Sequence, residues 1–585
     1  MKTCHIGLAA LALAAAAAPS RAADADWVQE SNADAQILLK AIGSYSPEEV
    51  SDDGLSEFDD GVTDMRPGLD ERSRAALQGA EDALGAKLAS EGDPRVRQDL
   101  EILIRACRNR ITDTELDHRL LLDFNDIPRS FFVAQFSLLQ NQVSPGRRPA
   151  ALVRLRKMTG LEPGYTPMTE LAKALFAESL RGPSRLGPFR GRVQTSIDDV
   201  PRYVAGIRQL YATFRIPGAG KALDAMEAQL GDFARWEKQE VLPHSREDFR
   251  QPPEIYAEDL VDVGLGITPE DLIAKARLEY TETQAELASL APLVAKERGL
   301  PDTDYRPVVR ALKKDQLSTA ELEPYYHQVI AAIEANIRKE HIIALPDRPL
   351  IMRLASAAET ASQPAPHYLP PQIIGNTGQR GQFVLPLNNP GASASPEDKY
   401  DDFSFRAAAW TLSAHEGRPG HDLQFTAMIE RGVSLARSIF AFNSVNVEGW
   451  ALYSEAVYKP YEPIDGQLVA LQLRLLRAAR AILDPMLNLG MISRPRAHDI
   501  LTNDVCLSEA FTKEELDRFT FRNPGQATAY FYGYSRIMEM RAEAEIALGD
   551  RFDRYAFNNF LISQGLLPPD ILQKAVETDF IPSQK

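Results

Sequence analysis

Two of only nine histidines in the 585-residue chain, His415 and His421, stand six positions apart, and a glutamate, Glu416, directly follows the first. A histidine pair with an adjacent carboxylate is the grammar of a zinc hydrolase helix. In the usual HExxH arrangement the two imidazoles sit one turn apart on one face and hold the metal, while the glutamate faces the water to be activated. Zinc lowers the pKa of that water towards neutrality, and the carboxylate takes its proton as it attacks a carbonyl carbon. The spacing departs from the rule, since six residues at 3.6 per turn leave the two side chains about 120° apart on a regular helix. Between them stand Gly417, Arg418, Pro419 and Gly420. Pro419 lacks the N–H that would bond back to the carbonyl of His415. The helix must therefore distort, and a two-residue bulge permitted by the glycines would return His421 to the second ligand position.

A catalytic zinc usually takes a third protein ligand. The stretch Asn446-Val-Glu448-Gly-Trp-Ala-Leu-Tyr-Ser-Glu455 offers two acids seven apart, hence on one helix face. Glu448 is read as the ligand, with Glu455 two turns along accepting a hydrogen bond from a ligand imidazole, although the two roles are exchangeable on spacing alone. The elements that would carry these groups are helical. Apolar residues recur at helical spacing through most of the chain, as in Leu100 to Cys107 and Leu272 to Tyr280. Helices are also expected over Ser318–Lys339, where Ser318 or Thr319 with Glu321 or Glu323 signals a start, and over Gln467–Asn488. Between His341 and Pro390, short β-prone runs (Ile342–Leu345, Leu350–Leu354, Gln382–Leu387) alternate with Pro, Gly and Asn, which predicts a small sheet. Pro386 marks the last run as an edge strand. If that edge lines the cleft it would pair with an extended peptide, with Gln382 on the strand and Asn388 or Asn389 bonding the substrate backbone. A polar connection over Gly391–Asp402 leads into a helix at about Ser404.

The segments His415-Glu-Gly-Arg-Pro-Gly-His-Asp-Leu-Gln424, Glu448-Gly-Trp-Ala-Leu-Tyr-Ser-Glu455, Pro524-Gly-Gln-Ala-Thr-Ala-Tyr530 and Arg541 resemble the bacterial proteins classed as domain of unknown function 885. That family is thought similar to helical zinc peptidases of the gluzincin kind, among them thimet oligopeptidase, angiotensin-converting enzyme, carboxypeptidase Taq and dipeptidyl peptidase III. The resemblance implies that Glu448 is the third ligand and that a tyrosine on a later Tyr/Gly-rich segment donates to the developing oxyanion. Tyr530 is the candidate, with Tyr534 one turn on as the alternative. Arg541, on the same expected helix, and Arg418, in the motif insert, are candidates to hold a substrate carboxylate in a bidentate grip. Where the family usually has a second histidine immediately after His421, this chain has Asp422, so the ligand role falls on His421 or Asp422.

Each residue also has a plainer explanation. Two histidines can pack around a Pro-Gly break, an acid can pair with an arginine, tyrosines at helical spacing are commonly core, and helix arginines commonly face solvent. Other chemistries fail on inspection. Pro217-Gly-Ala-Gly-Lys221 has Arg215 and Ala222 where a phosphate-binding loop needs glycine and Ser or Thr, Gly375–Gly381 lacks dinucleotide spacing, and no Gly-x-Ser-x-Gly elbow occurs.

With 44% hydrophobic, 25% charged and 8% aromatic residues the chain is a folded globular protein. Lys2, the apolar run Ile6–Ala18 and Ser20-Arg21-Ala22 read as a secretory leader, residues 1–22, too short to span a bilayer. Cys4 precedes the apolar run and would leave with it, so no stable membrane anchor is expected. Its removal takes the formal charge from −17 to −19. So acidic a surface argues against nucleic acid and anionic membranes as partners. Cys107 and Cys506 remain, either paired or as two buried thiols.

The sequence thus predicts a mainly α, large, helical, cleft-containing fold of gluzincin-like metallopeptidase type with a small sheet near the active site. Residues 23–265 form an N-terminal helical half and 266–585 a catalytic half, together one continuous unit. The function expected is an exported peptidase with one zinc per chain, acting on a peptide or peptide-like amide. The rival is a periplasmic protein that binds metal or peptide without chemistry. Oligomeric state is left open.

Overall fold

The computed structural model describes residues 26–356, 359–360, 363–386 and 400–585. The leader and Asn388 lie outside them. The described chain is mainly helical. Asp93 caps the long helix α1 (Pro94–Leu120), accepting from the Arg95 N–H, and Pro94 occupies the first helical position. Helix α2 (Pro269–Arg298) follows Thr268, which caps it in the same way, and α3 (Thr319–Lys339) starts where Glu321 reaches back to the Ser318 N–H at 3.0 Å. The chemistry-bearing segment then supplies α4 (Ala408–Leu412), α5 (His421–Arg431), α6 (Ser444–Tyr458), α7 (Ile464–Asn488) and α8 (Ala529–Leu548). The helix expected from about Ser404 thus begins at Ala408.

Helix α7 is buried on nearly every face, which its Leu- and Ala-rich sequence permits. Among its buried polar residues, Arg477, Arg480 and Asp484 are spaced so that they fall along one side.

Among the described residues three short strands form the sheet: β1 (Ile351–Leu354), β2 (His367–Leu369) and β3 (Gln382–Leu385). Their order is β1-β3-β2, with β1 parallel and β2 antiparallel to β3. The expectation that β3 is an edge strand is therefore corrected. Its hydrogen-bonding edges are both taken, so it offers no ladder to a peptide. Pro386 follows the last paired residue, where its missing N–H interrupts nothing. Gln382 faces its own sheet and accepts from Arg353 Nε at 2.5 Å, which removes it as a substrate contact. Ile342–Leu345, expected as a strand, is irregular. Its apolar pattern reflects burial of Ile342 and Ile343, and the Ile342 carbonyl accepts from Asn558 at 2.9 Å instead of from a ladder.

The halves on either side of residue 265 interlock. Leu435 and Ala436 sit in the core of the N-terminal helices, and Ile102 of α1 sits in the large C-terminal core. Between them Asp99, fully buried, accepts from Arg437 Nε at 2.7 Å and from Ser31 and Ser434, each at 2.6 Å. Cys107 and Cys506 are both free and buried. Removing the Asp99 carboxylate would strand the Arg437 guanidinium. We expect Asp99→Ala to cost about 3–5 kcal/mol and to lower the midpoint of thermal unfolding measured by circular dichroism.

Candidate metal centre

The local fold at the histidines is a break between two helices. After α4 the backbone widens through Ser413–Gly417 into i→i+5 winding, Arg418 turns extended, and a new helix begins at His421. The expected two-residue bulge in one continuing helix is thus replaced by two helices and a three-residue turn. Gly420 makes the turn possible. Its N–H donates to Ala414 O at 2.9 Å, and a Cβ there would lie 1.8 Å from the His415 carbonyl oxygen, so no other residue fits. The chain thereby folds back and sets the two imidazoles edge to face, 4.8 Å between centroids.

Buried side chains hold the turn. Trp450 Nε1 donates to Pro419 O at 2.9 Å. Arg418 donates to Asp422 Oδ2 at 2.9 Å, to Glu334 of α3 at 2.8 Å and to the Arg348 carbonyl. Only 3% exposed and with its fork occupied, Arg418 cannot grip a substrate, and that expectation is corrected. The same ion pair turns Asp422 away from the centre, leaving His421 as the ligand candidate.

Helix α6 supplies both acids, and their geometry separates the two roles. Glu455 Oε1 lies 2.7 Å from His415 Nδ1, accepts from Arg477 at 3.0 Å, and its second oxygen accepts from Thr411 at 2.7 Å. A carboxylate at Nδ1 fixes the proton there and leaves the Nε2 lone pair free. Glu448 Oε2 lies 3.4 Å from His415 Nε2 and 3.5 Å from His421 Nε2. All three atoms fall within 4.8 Å of one another. Two ligands at about 2.1 Å from one tetrahedral ion are about 3.4 Å apart. The Glu448 Oε2 atom nevertheless makes no aligned hydrogen bond among the described residues, and neither do Glu416 Oε2 or His421 Nδ1. Atoms that converge without bonding one another, in a nitrogen–nitrogen–oxygen set, fit a zinc ion.

The electrostatics agree. Burial pushes the Glu448 carboxyl up, but the neighbouring imidazoles outweigh it and hold the group well below the usual carboxylate range. Burial pulls His415 down, yet Glu448 and Glu455 raise it to about 9. The site favours positive charge.

Helices α6 and α8 touch backbone to backbone. A Cβ on Gly533 would lie 1.9 Å from Val445 O, and one on Gly449 would lie 2.5 Å from Gly533 Cα. That approach lays the Tyr530 ring parallel to His415, 6.2 Å between centroids. The Tyr530 hydroxyl accepts from Arg518 at 2.7 Å, and Arg480 lies 4.6 Å over its ring. With a lone pair taken by a cation, the O–H proton is left to be donated. Tyr534 is buried against Arg474, at 5.1 Å, and does not line the metal cleft. Arg541, eleven residues and so about 16 Å beyond Tyr530 along α8, pairs with Glu545 at 2.8 Å. Both are corrected as site residues.

His415, Glu416, Glu448 and Tyr530 open onto a cavity of about 640 Å³, which Arg192, Asp199 and Tyr203 of the N-terminal half also line. Several contributors were not foreseen. Gln526 donates to Glu448 Oε1 at 3.4 Å and accepts from Arg518. Asp484 holds the Gly525 N–H at 3.0 Å and the Tyr256 hydroxyl at 3.0 Å, so it ties the Gln526 segment to the N-terminal half. His367 on β2, with Nδ1 3.0 Å from Ala365 O, is buried next to the Glu416 turn, and burial lowers its pKa. One signal was available: Arg477, Arg480 and Asp484 are charges at helical spacing inside a Leu- and Ala-rich helix.

Comparison with known proteins adds a family. The model of "Bacterial protein of unknown function (DUF885)" matches residues 47–576. The chain belongs to that family. No curated protein matches it. Its fold is similar to that of a protein from Colwellia psychrerythraea, provisionally called a lipoprotein, with TM-score 0.77 and 17% identity over 95% of this chain and 99% of the other. A protein of unknown function from Shewanella oneidensis, given the same provisional description, matches with TM-score 0.67 and 20% identity over 94% of this chain and all of its own. Among the described residues of this DUF885 protein, no helix is long and apolar enough to cross a membrane.

Elemental analysis after mild chelation and re-addition of zinc should find about one ion per chain, and far less in His421→Ala. Glu455→Gln should weaken zinc affinity about 10–100-fold in a competition with a chromophoric chelator.

Proposed function

We propose that this protein is a zinc-dependent peptidase, similar in its site to the gluzincin enzymes, with His415, His421 and Glu448 as ligands. The observation that carries the reading is the convergence of three ligand atoms, with Glu448 Oε2 at 3.4 and 3.5 Å from the two imidazole nitrogens, in a cleft that also exposes Glu416. Bound there, zinc would act as a Lewis acid that brings the pKa of water towards neutrality. The chain's own groups account for the proton movements. Glu416 takes a proton from the attacking water as its oxygen bonds to the substrate carbonyl carbon. Tyr530 donates its hydroxyl proton in a hydrogen bond to the oxyanion that develops, and Arg518 holds that hydroxyl in place. Glu416 then delivers the proton to the amine nitrogen as the C–N bond breaks. Glu455, backed by Arg477 and Thr411, keeps His415 in one tautomer throughout.

The apolar leader supports export, and the provisional lipoprotein descriptions of the two similar structures accord with it.

Glu416→Gln is expected to bind zinc as the parent does while peptide cleavage, read by mass spectrometry on a peptide mixture, falls by about 10²–10⁴. Zinc retained with no cleavage by either protein would instead mark a binding protein. Tyr530→Phe is expected to lower kcat about 10²–10³-fold with KM little changed, because its hydrogen bond forms only as charge develops.

A further inference from the structure

Among the described residues six arginines line the metal cleft, and they fall into two groups. Three are consumed by the framework. Arg477 pairs with Glu455 at 3.0 Å, Arg480 with Glu515 at 2.6 Å, and Arg518 with Glu515 at 3.5 Å and with the Tyr530 hydroxyl at 2.7 Å. The other three, Arg129, Arg192 and Arg522, make no ion pair within 4 Å among the described residues. They come from separate elements: Arg129 from the Ile127–Phe136 helix, Arg192 from the Arg190–Thr213 helix, and Arg522 from the end of the wide Arg518–Arg522 turn. Arg522 stands four residues before Gln526, the side chain that touches Glu448, so one short segment joins it to the metal centre.

Arg192 has a particular place. It lines both the metal cleft and a second cavity of about 710 Å³, and the two spaces meet at Asp117, Leu121, Arg192, Gln251 and Phe521. Its guanidinium lies 5.5 Å over the Phe124 ring, which leaves the edge of the fork open. The acids around these arginines act at longer range, Asp117 and Asp126 on Arg192 and Asp199 on Arg522. Burial raises the pKa of Asp117 and Asp199 and, with neighbouring charges, brings Asp259 and Glu514 to about 7, which weakens the charge of these last two. A guanidinium does not follow them, because it stays protonated at any accessible pH. Cationic forks with open donors facing a cleft at neutral pH are suited to a carboxylate, which they bind through two parallel hydrogen bonds.

We propose that Arg129, Arg192 and Arg522, all three solvent-exposed, form an anion subsite of the metal cleft that holds a carboxylate of the substrate. This rests on the peptidase reading for the identity of the ligand as a peptide. The carboxylate is either the chain terminus, which makes the enzyme act near carboxyl ends, or an acidic side chain, which gives a sequence preference within a chain. The proposal replaces Arg418 and Arg541 in that role, since both are bound to carboxylates of the fold.

The test separates binding from cleavage. In the Glu416→Gln protein loaded with zinc, calorimetric titration would compare three probes: acetyl-tetraalanine with a free carboxyl end, the same peptide as its carboxyl-terminal amide, and that amide with one alanine replaced by glutamate. The free acid is expected to bind at least about tenfold tighter than the neutral amide if the chain terminus is the ligand. If a side chain is the ligand, the glutamate amide gains that advantage instead. In Arg192→Gln/Arg522→Gln on the same background, the advantage should vanish while zinc content and amide affinity hold, which keeps misfolding out of the readout. Equal affinity for all three probes, no measurable binding of any, or a carboxylate preference that survives the double substitution would overturn the subsite. An intact, zinc-loaded protein that leaves a peptide mixture uncut while keeping the arginine-dependent preference would overturn the peptidase reading alone.

Discussion

A buried carboxylate set at metal-ligand spacing from two imidazole nitrogens is the constraint around which the rest of the structure is built. Glu448 Oε2 is in that position, and the surrounding structure is organised to keep it there. Burying an ionised carboxylate costs several kcal/mol unless neighbouring charge offsets it, and the framework fixes in place the imidazoles that offset it here. Three constraints do so. The Gly420 turn reverses the chain so that His421 meets His415. The α6–α8 contact admits no side chain at Gly449 or Gly533. The Glu455 carboxylate locks the far side of the His415 ring.

The polar groups behind the site form a graded system of charges. Glu455 is satisfied by His415, Arg477 and Thr411, and Glu515 by Arg480 and Arg518, all buried. These pairs add little to net stability, since desolvation offsets much of their attraction. Their value is positional, because each fixes a group that faces the cleft. Helix α7 carries Arg477, Arg480 and Asp484 along one side, so a single rigid element sets the imidazole, the tyrosine ring and the Gln526 segment relative to one another.

The N-terminal half is part of the same machine. Its contact with the rest runs through the buried Asp99–Arg437 pair and the Tyr256–Asp484 hydrogen bond, and its helices also line the cleft. The candidate metal ligands His415 and Glu448 and the arginines Arg129 and Arg192, from the two halves of the chain, line one cleft. A substrate that needs both would bridge the two halves, so the geometry of the N-terminal helices would bear on its selection although none of them carries a candidate metal ligand.

What the sequence by itself determined was which residues meet at the candidate centre and the type of the elements that carry them. Residue type and short-range spacing sufficed for His415, Glu416, His421, the acid pair on α6 and the helical class, because ligand identity and helical period are local properties. Tyr530 needed the added resemblance to a family. Tertiary structure decided everything that depends on who stands opposite whom. It turned the expected bulge into a helix break, since the extended Arg418 and the close approach at Gly420 depend on partners in α3, α5 and α6. It placed β3 in the centre of its sheet, because Pro386 follows the paired residues and the proline signal could not say which strand lay outside. It drew Arg418, Arg541 and Gln382 into framework contacts and left Arg129, Arg192 and Arg522 without ion pairs among the described residues. An arginine's role is set by the nearest carboxylate in space, and that neighbour is often hundreds of residues away in the chain.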